Sequence, residues 1–263
     1  MTRSPDSFNQ VAELYDEARP SYPLQLVDDL VSLADLGRGD RVLEIGCGTG
    51  QITVPLAERG LRITALEPGD KLATVARQRL GQFDDVEIVV NRFEDYELPD
   101  EPFDFVVSAT AFHWVDPSVR VAKSAQALKV GGHLAVIHTH WGVGREIDIF
   151  FEQSQTCYQH WDPDTDPNFR PPTAGDISGS QPQLEESRSF GDIKYRQYEQ
   201  RNRYSTASYL NLLRTFSNVN ALDEEHRRGL LDCLGTLIDS RFHGSLRKSD
   251  LREMWVATRE GRP

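Results

Sequence analysis

The sequence predicts an α/β fold with a doubly wound, mostly parallel sheet of seven strands, helices on both faces, and an added lid or cap. Three observations predict it. Apolar segments of strand length alternate with helical segments between residues 41 and 140. A glycine-rich turn joins the first strand to its helix, where doubly wound sheets bind ligands. The length of 263 residues suffices for one large domain with additions.

Composition indicates a globular chain and limits its partners. Hydrophobic residues make up 38% and charged residues 27%, with a formal net charge of −12. This acidic balance argues against a nucleic-acid partner, which would need basic patches. No apolar run approaches the roughly 20 residues of a membrane span, and the first residues lack the apolar core of a secretory signal. We therefore expect no membrane partner and a cytoplasmic protein.

Cysteine usage supports the same compartment. The three cysteines, Cys47, Cys157 and Cys233, are odd in number and far apart in the sequence. This pattern is more typical of free thiols in a reducing compartment than of a disulfide framework.

The first half of the chain divides into an N-terminal helical region and a sheet core. Residues 8–22 and 24–36 have the periodicity of amphipathic helices, so residues 1–36 are predicted to form an N-terminal helical region. Residues 37–142 are predicted to form the core. Its strands are predicted at residues 41–45, 62–66, 86–90, 103–108 and 133–140, with helices at 51–59, 70–80 and 117–128.

The second half departs from this alternation. A helix is predicted over residues 145–161, and residues 162–192 are rich in Pro, Asp, Ser and Gly. That stretch is too long for an ordinary connection, so residues 143–192 are predicted to be an insertion that acts as a lid over a pocket, an excursion or a mobile loop. Residues 193–263 should complete the sheet and cap, with strands at 193–199 and 251–258 and helices at 206–216 and 223–240. Asp223 is the expected N-cap of the last helix.

The glycine-rich turn indicates the kind of ligand. Three alternating glycines in residues 46–50 let the backbone approach a ligand closely. A dinucleotide-binding turn would carry another glycine where Gln51 stands. The Glu44 carboxylate would repel a pyrophosphate but suits an ammonium or sulfonium group. Glu67, about 20 residues further on, can accept ribose hydroxyls from either class of ligand.

In their order and spacing, these motifs resemble the class I S-adenosylmethionine-dependent methyltransferases, which have a Rossmann-like fold. The resemblance rests on residues 42–50, 67–68, 93–95, 103–108 and 131–134. Within that family the chain is most similar to the bacterial small-molecule group with a type 11 methyltransferase domain. Residues 15–23, 93–95, 111–116 and 213–217 carry this closer similarity.

The resemblance implies a set of residues that bind S-adenosylmethionine. They are Tyr15, Arg19, Glu44, Gly46, Cys47, Gly48, Glu67, Pro68, Phe93, Glu94, Ala109 and Thr110. Residues 46–48 would follow the methionine and ribose parts, and residues 109–110 would pass beside the methionine part. Glu44 would face the amino group through water, and Glu67 would bind the ribose hydroxyls.

The remaining implied contacts concern the adenine and the methionine carboxylate. Phe93 and Glu94 would flank the adenine, with Glu94 placed for its amino group. Arg92 stands where many relatives carry an acid, which shifts that recognition further onto Glu94. Tyr15 and Arg19 would close over the cofactor, with Arg19 as the candidate for its carboxylate.

The methyl acceptor is expected beside the ends of strands four and five. His113, Trp114 and Trp141 are the candidates for its pocket, and His113 is the one candidate general base because its ordinary pKa lies near neutrality. Packing of His113 at the strand–helix corner is the alternative. His138 and His140 share a strand face, but no cysteine or acid joins them at ligand spacing, so no metal site is predicted.

The predicted function is methyl transfer from S-adenosylmethionine to a small organic acceptor, leaving S-adenosylhomocysteine. The transfer would be an in-line displacement, catalysed mainly by positioning. An NAD-dependent oxidoreductase and a non-catalytic module that binds S-adenosylmethionine are the alternatives. A monomer or a homodimer is expected.

Overall fold

The computed structural model describes residues 9, 11–145, 149–170 and 172–261. The strands, in chain order, are β1 (Arg41–Ile45), β2 (Arg62–Leu66), β3 (Val86–Val89), β4 (Phe103–Ala109), β5 (Leu128–His140), β6 (Phe190–Ser205) and β7 (Ser245–Arg259). The helices are α1 (Ala12–Ala18), α2 (Leu24–Leu33), α3 (Thr53–Ala57), α4 (Asp70–Leu80), α5 (Arg120–Ala127), α6 (Ile149–Trp161), α7 (Pro182–Glu185), α8 (Thr206–Leu213), α9 (Ser217–Asn220) and α10 (Glu224–Arg241).

The chain divides into two compact units. The sheet unit comprises Ser21–Thr139, Gly179–Tyr198 and the chain from Arg252 onward. The helical unit comprises the chain up to Pro20, His140–Ser178 and Glu199–Leu251. Each unit has its own hydrophobic core.

The sheet unit confirms the predicted fold class. The strand order of the seven-stranded sheet is β3-β2-β1-β4-β5-β7-β6. The neighbouring pairs β1–β2, β1–β4, β2–β3 and β4–β5 are parallel. The strand order reverses between β1 and β4, and such a switch point is where open α/β sheets bind ligands.

Two apolar layers cover the faces of this sheet. Val42 and Phe105 contribute to one layer, with residues of α2, α3 and α4 packed on it. Leu43 and Val106 point to the opposite layer, with residues of α5 and α7. Alternate residues of a strand point to opposite faces, so the near-continuous apolar runs of β1 and β4 fill both layers and predict a sheet buried on both sides.

The helical unit is built around α6, α8 and α10. Phe150, Tyr209 and Leu230 lie in its core. The Asp223 side chain caps α10 by accepting from the His226 amide at 2.9 Å, as predicted.

A disulfide between Cys157 and Cys233 joins α6 to α10. The prediction of three free thiols is therefore wrong for this pair, and Cys47 is the free, buried cysteine. A separation of 76 residues concealed the pairing, because it depends on two helices packing side by side rather than on any local cysteine motif.

Several predicted elements have different limits in the structure. The predicted helix over residues 206–216 is interrupted, because α8 ends at Leu213 and α9 begins at Ser217. The two C-terminal strands are much longer than predicted, 16 and 15 residues. Residues 146–148 of the predicted helix over 145–161 lie outside the described residues, and α6 begins at Ile149.

Beyond α6, the described residues of the predicted lid contain little regular secondary structure. Between α6 and β6 there is a short 3-10 turn (Ala174–Asp176) and the four-residue α7. The chain changes from the helical unit to the sheet unit after Ser178. Among the described residues, no helix is both long and apolar enough to cross a membrane.

Candidate cofactor site

The glycine turn after β1 needs its glycines for conformation and for space. Gly46, Gly48 and Gly50 have φ angles of +71°, +59° and +92°, a region that residues with a Cβ rarely adopt. A Cβ on Gly46 would also lie 2.5 Å from the Ala111 Cβ. The turn after β1 and the turn after β4 therefore touch at a point where a larger residue would not fit.

Glu67 supports the glycine turn from the end of β2. Its side chain is 5% exposed, and its two oxygens accept from the Gly48 amide at 2.8 Å and the Gly69 amide at 2.9 Å. Burial raises the pKa of Glu67, and the two amides oppose that shift. Each carboxylate oxygen has two lone pairs, so each retains one for a ligand hydroxyl. The neighbouring Pro68 is exposed.

Glu44 lies within β1 with its carboxyl group buried. It is 1% exposed, and neither oxygen has a hydrogen-bond partner of regular geometry. Burial raises its pKa to about 8; the nearby Thr53 hydroxyl lowers it, and the Glu67 carboxylate raises it further. An unpartnered buried carboxylate is costly. A cationic group in the adjacent turn would favour the ionised form and lower this pKa, so these residues fit a ligand with an ammonium or sulfonium group better than a pyrophosphate.

Cys47 fills space in the turn as a protonated thiol. Its side chain is buried. Burial, followed by the carboxylates of Glu44 and Glu67, raises its pKa well above the ordinary value. Because the thiolate is the nucleophilic form, this environment opposes nucleophilic chemistry at Cys47.

The turn after β3 carries Phe93 and Glu94. Phe93 is 3% exposed and packs in the apolar layer with Leu66. Glu94 is partly exposed and accepts the Asp116 amide at 2.9 Å, while its backbone carbonyl accepts from the Lys123 ammonium at 2.7 Å. Phe93 thus anchors the turn, and Glu94 connects it to the segment after β4.

The end of β4 brings together side chains that the sequence did not associate. Ala109 ends the strand, and Thr110 follows with a φ of +60°. The Thr110 hydroxyl lies 2.9 Å from the Tyr22 hydroxyl and 2.9 Å from the Thr139 hydroxyl. Sequence reasoning missed Tyr22 and Thr139 as site residues, although Tyr22 lies within the motif over residues 15–23. Nothing in the sequence pairs Thr139 with Thr110.

His113 and Trp114 follow in a short 3-10 turn (Phe112–Trp114). The His113 ring lies 4.9 Å from the Trp114 ring and 5.8 Å from the His138 ring, between centroids. Burial first, and the Arg120 charge second, lower the pKa of His113. The ring keeps contact with solvent, which limits the effect of burial. His113 is therefore neutral at neutral pH and able to accept a proton.

Tyr15, Arg19 and Trp141 lie together in the helical unit. The Arg19 guanidinium carbon lies 4.8 Å, 4.7 Å and 4.6 Å from the ring centroids of Tyr15, Trp141 and Phe216. Its Nε donates to the Thr215 hydroxyl at 2.9 Å and its Nη2 to the Thr215 carbonyl at 2.8 Å. Much of the donor capacity of Arg19 is thus used within this unit, and Thr215 and Phe216 were not predicted as its partners.

Within the described ranges, no group of three or more His, Cys, Asp or Glu side chains could hold a metal ion.

The methyltransferase domain family, type 11, matches residues 43–136. An uncharacterized methyltransferase of Mycobacterium tuberculosis is 36% identical over 131 residues, which cover 50% of this chain and 51% of that protein. One from Geobacillus thermodenitrificans is 33% identical over 143 residues, 51% of this chain and 66% of that protein. The chain thus spans about half the length of the first of these curated relatives.

Solved structures show the same fold. A protein from Anaeromyxobacter dehalogenans assigned as a type II methyltransferase gives a TM-score of 0.64 at 24% identity, covering 92% of this chain and 97% of that one. Phosphoethanolamine N-methyltransferase 2 of Haemonchus contortus, solved with S-adenosylhomocysteine, gives 0.54 at 16% identity, with 96% and 57% coverage. The resemblance stated from the motifs is confirmed over residues 43–136, which match a methyltransferase domain family.

Proposed function

We propose that the chain transfers a methyl group from S-adenosylmethionine to a small organic acceptor. One observation carries the proposal. The Glu44 carboxyl is buried without a hydrogen-bond partner of regular geometry, two residues before a glycine turn at the topological switch point. A ligand with a positive charge next to an adenosine would favour the ionised form of Glu44, whereas the pyrophosphate of NAD would oppose its ionisation.

The residues of the sheet unit have distinct roles in this proposal. Glu44 attracts the amino group of the ligand, and the backbone of Gly46 to Gly48 passes along it without side chains in the way. Glu67 holds the turn through the Gly48 amide and offers its remaining lone pairs to the ribose hydroxyls. Glu94, partly exposed at the turn after β3, is the candidate contact for the adenine amino group.

When bound, S-adenosylmethionine would supply an electrophilic methyl group on sulfur. The chain contributes alignment and exclusion of water, which can supply much of the rate of an in-line displacement. His113, neutral at neutral pH, accepts a proton if the acceptor has to lose one. His113 and Trp114 form the candidate wall of the acceptor pocket.

The negative net charge of the chain supports a small organic acceptor over a nucleic acid. The net charge of −12 opposes binding of a polyanionic nucleic acid. The name of the Haemonchus protein includes phosphoethanolamine as its substrate. That substrate is not assigned to this chain, because 16% identity supports a shared fold and not a shared substrate.

Equilibrium binding followed by product detection tests the proposal. Calorimetry with S-adenosylhomocysteine should give saturable binding, and NAD should give none. A panel of small carboxylates, phenols and amines with S-adenosylmethionine should then give a methylated product by mass spectrometry. Binding of NAD without binding of S-adenosylhomocysteine would favour the oxidoreductase. Binding of S-adenosylhomocysteine without any methylated product would favour a non-catalytic binding module.

We also propose that the protein is located in the cytoplasm and that it is a monomer or a homodimer. The Cys157–Cys233 bond removes the argument from free thiols. Cell fractionation with a thiol-alkylating agent tests the compartment and the redox state of this pair together, and light scattering tests the oligomeric state.

A further inference from the structure

Thr110 has an unusual backbone for its residue type. Its φ is +60°, and a β-branched side chain in the left-handed region is strained. The other described non-glycine residues with positive φ are Asp35, Asp192 and His243, residue types that tolerate this region better. Strain of this kind persists only where surrounding contacts hold it, and it concentrates at functional sites.

Three contacts hold Thr110 in this conformation. Its amide donates to the Ile137 carbonyl at 2.8 Å. Its hydroxyl lies between the Tyr22 hydroxyl and the Thr139 hydroxyl, 2.9 Å from each. Tyr22 comes from the segment before α2 and Thr139 from β5, so side chains from two separate segments fix one residue at the end of β4. Tyr22, Thr110 and Thr139 are called the hydroxyl chain below.

The strained turn determines how closely two site segments approach. Residue 111 directly follows Thr110, and the Ala111 Cβ occupies the space that a Gly46 Cβ would fill, at 2.5 Å. Gly46 belongs to the glycine turn, and β1 and β4 flank the switch point. The backbone direction at Thr110 therefore sets the separation between the two turns.

We infer that the hydroxyl chain is a positioning device that fixes the separation of the turns after β1 and β4, and with it the affinity for the methionine end of the cofactor. Tyr22, Thr110 and Thr139 act as positioning residues in this assignment. The inference rests on the proposed function, because it assigns these residues to the same cofactor site.

The first test removes the hydroxyls and keeps the shapes. Thr110→Val loses both hydroxyl contacts and retains the branched side chain, whereas Tyr22→Phe loses one contact. The expected dissociation constant for S-adenosylhomocysteine rises about 5- to 100-fold in Thr110→Val and about 2- to 10-fold in Tyr22→Phe, the range for two lost hydrogen bonds and one. Thr110→Ser and Thr139→Ser keep a hydroxyl and should bind within about 2-fold of the wild type.

Thr110→Gly separates positioning from stability. Glycine adopts a φ of +60° without strain, so this variant should unfold at a temperature close to that of the wild type. It loses the hydroxyl chain but also the strain that the chain opposes, so its affinity for S-adenosylhomocysteine should fall less than in Thr110→Val. Ser124→Ala is the matched control, since it removes a buried hydroxyl that bonds within α5, to the Arg120 carbonyl, and should bind as the wild type does.

The outcomes separate this inference from the proposed function. A wild-type protein that does not bind S-adenosylhomocysteine would overturn the proposed function and the inference with it. A wild-type protein that binds, with Thr110→Val and Tyr22→Phe binding equally well, would overturn the inference alone. A loss in Ser124→Ala equal to that in Thr110→Val would also overturn it, because the effect would then come from general destabilisation.

Discussion

The Glu44 carboxyl is buried within β1, and its protonation affects the stability of the fold. Burial raises its pKa to about 8 from an ordinary value of 4.5, so the folded state holds a proton that the unfolded state has lost between these pH values. For a group with a raised pKa, the contribution to stability is present below pH 4.5 and is lost as pH rises through 8. The ligand-free protein therefore loses stability as pH rises between these two values, where unfolding releases the proton of Glu44.

We predict that Glu44→Gln becomes progressively more stable than the wild type as pH rises from 5 to 9. The gain across this range should be about 2–4 kcal/mol, because glutamine has the same shape and carries no charge to bury. Thermal unfolding of both proteins across the pH range measures it. The same variant should bind S-adenosylhomocysteine more weakly at every pH. A stability difference that does not change with pH would show that Glu44 is not the titrating group.

Glu67 combines two roles, and substitution should affect both. Glu67→Ala leaves the Gly48 and Gly69 amides without their acceptor, so we expect a loss of about 1–3 kcal/mol in unfolding free energy without ligand. Cofactor affinity should fall by a similar free energy. Glu87→Ala, an exposed glutamate on β3, is the matched control. Denaturant unfolding and calorimetry measure the two effects, and wild-type values in both would refute the assignment.

At the scale of elements, the packing of α6 against α10 depends on Gly229. A Cβ there would lie 2.4 Å from the Trp161 ring. Alanine usually stabilises a helix interior by about 1 kcal/mol relative to glycine, but we predict that Gly229→Ala destabilises the protein by about 1–3 kcal/mol, as overpacking does.

Gly235 of the same helix provides the control for that prediction. A Cβ on Gly235 would lie 3.4 Å from the nearest atom of Leu210, an ordinary contact. Gly235→Ala should therefore stabilise the protein by about 0.5–1 kcal/mol. Denaturant unfolding measures the change in unfolding free energy in Gly229→Ala and in Gly235→Ala. Changes of the same sign and size in both variants would contradict the packing around Trp161.

The disulfide between α6 and α10 should contribute strongly to stability. Reduction, or Cys233→Ser, releases a loop closed across 76 residues, and we expect a loss of about 2–4 kcal/mol. Thermal unfolding with and without a reducing agent measures it, and Cys47→Ser should respond to the reducing agent as the wild type does. Insensitivity of the wild type would mean that the bond does not form in solution.

The whole molecule shows which parts of the structure follow from local sequence. The first four strands could be assigned nearly correctly because β1 to β4 are short apolar runs, each recognisable alone, whereas β5 begins at Leu128, five residues before its predicted start. The strands β6 and β7 were underestimated because charged residues such as Arg201, Arg203 and Lys248 occupy the parts of these strands that the prediction left out. The Cys157–Cys233 bond and the hydroxyl chain could not be foreseen, since each joins residues that only the complete fold brings together.

Ligand binding should stabilise the whole protein by mass action. At a concentration of S-adenosylhomocysteine 100 times its dissociation constant, the expected gain is about 2.7 kcal/mol. A thermal-shift titration measures it, with NAD at equal concentration as the control. A larger shift with NAD would contradict the proposed ligand.

The Cys157–Cys233 bond also makes part of the polypeptide a covalent ring. This ring contains the stretch between α6 and β6, whose described residues have little regular secondary structure. Such stretches are preferred sites of proteolysis. A single cut there opens the ring without separating the two pieces. The nicked protein should migrate as one species on a non-reducing gel and as two fragments after reduction. A cell could therefore carry a cleaved copy of this chain that stays covalently connected until a reductant reaches it.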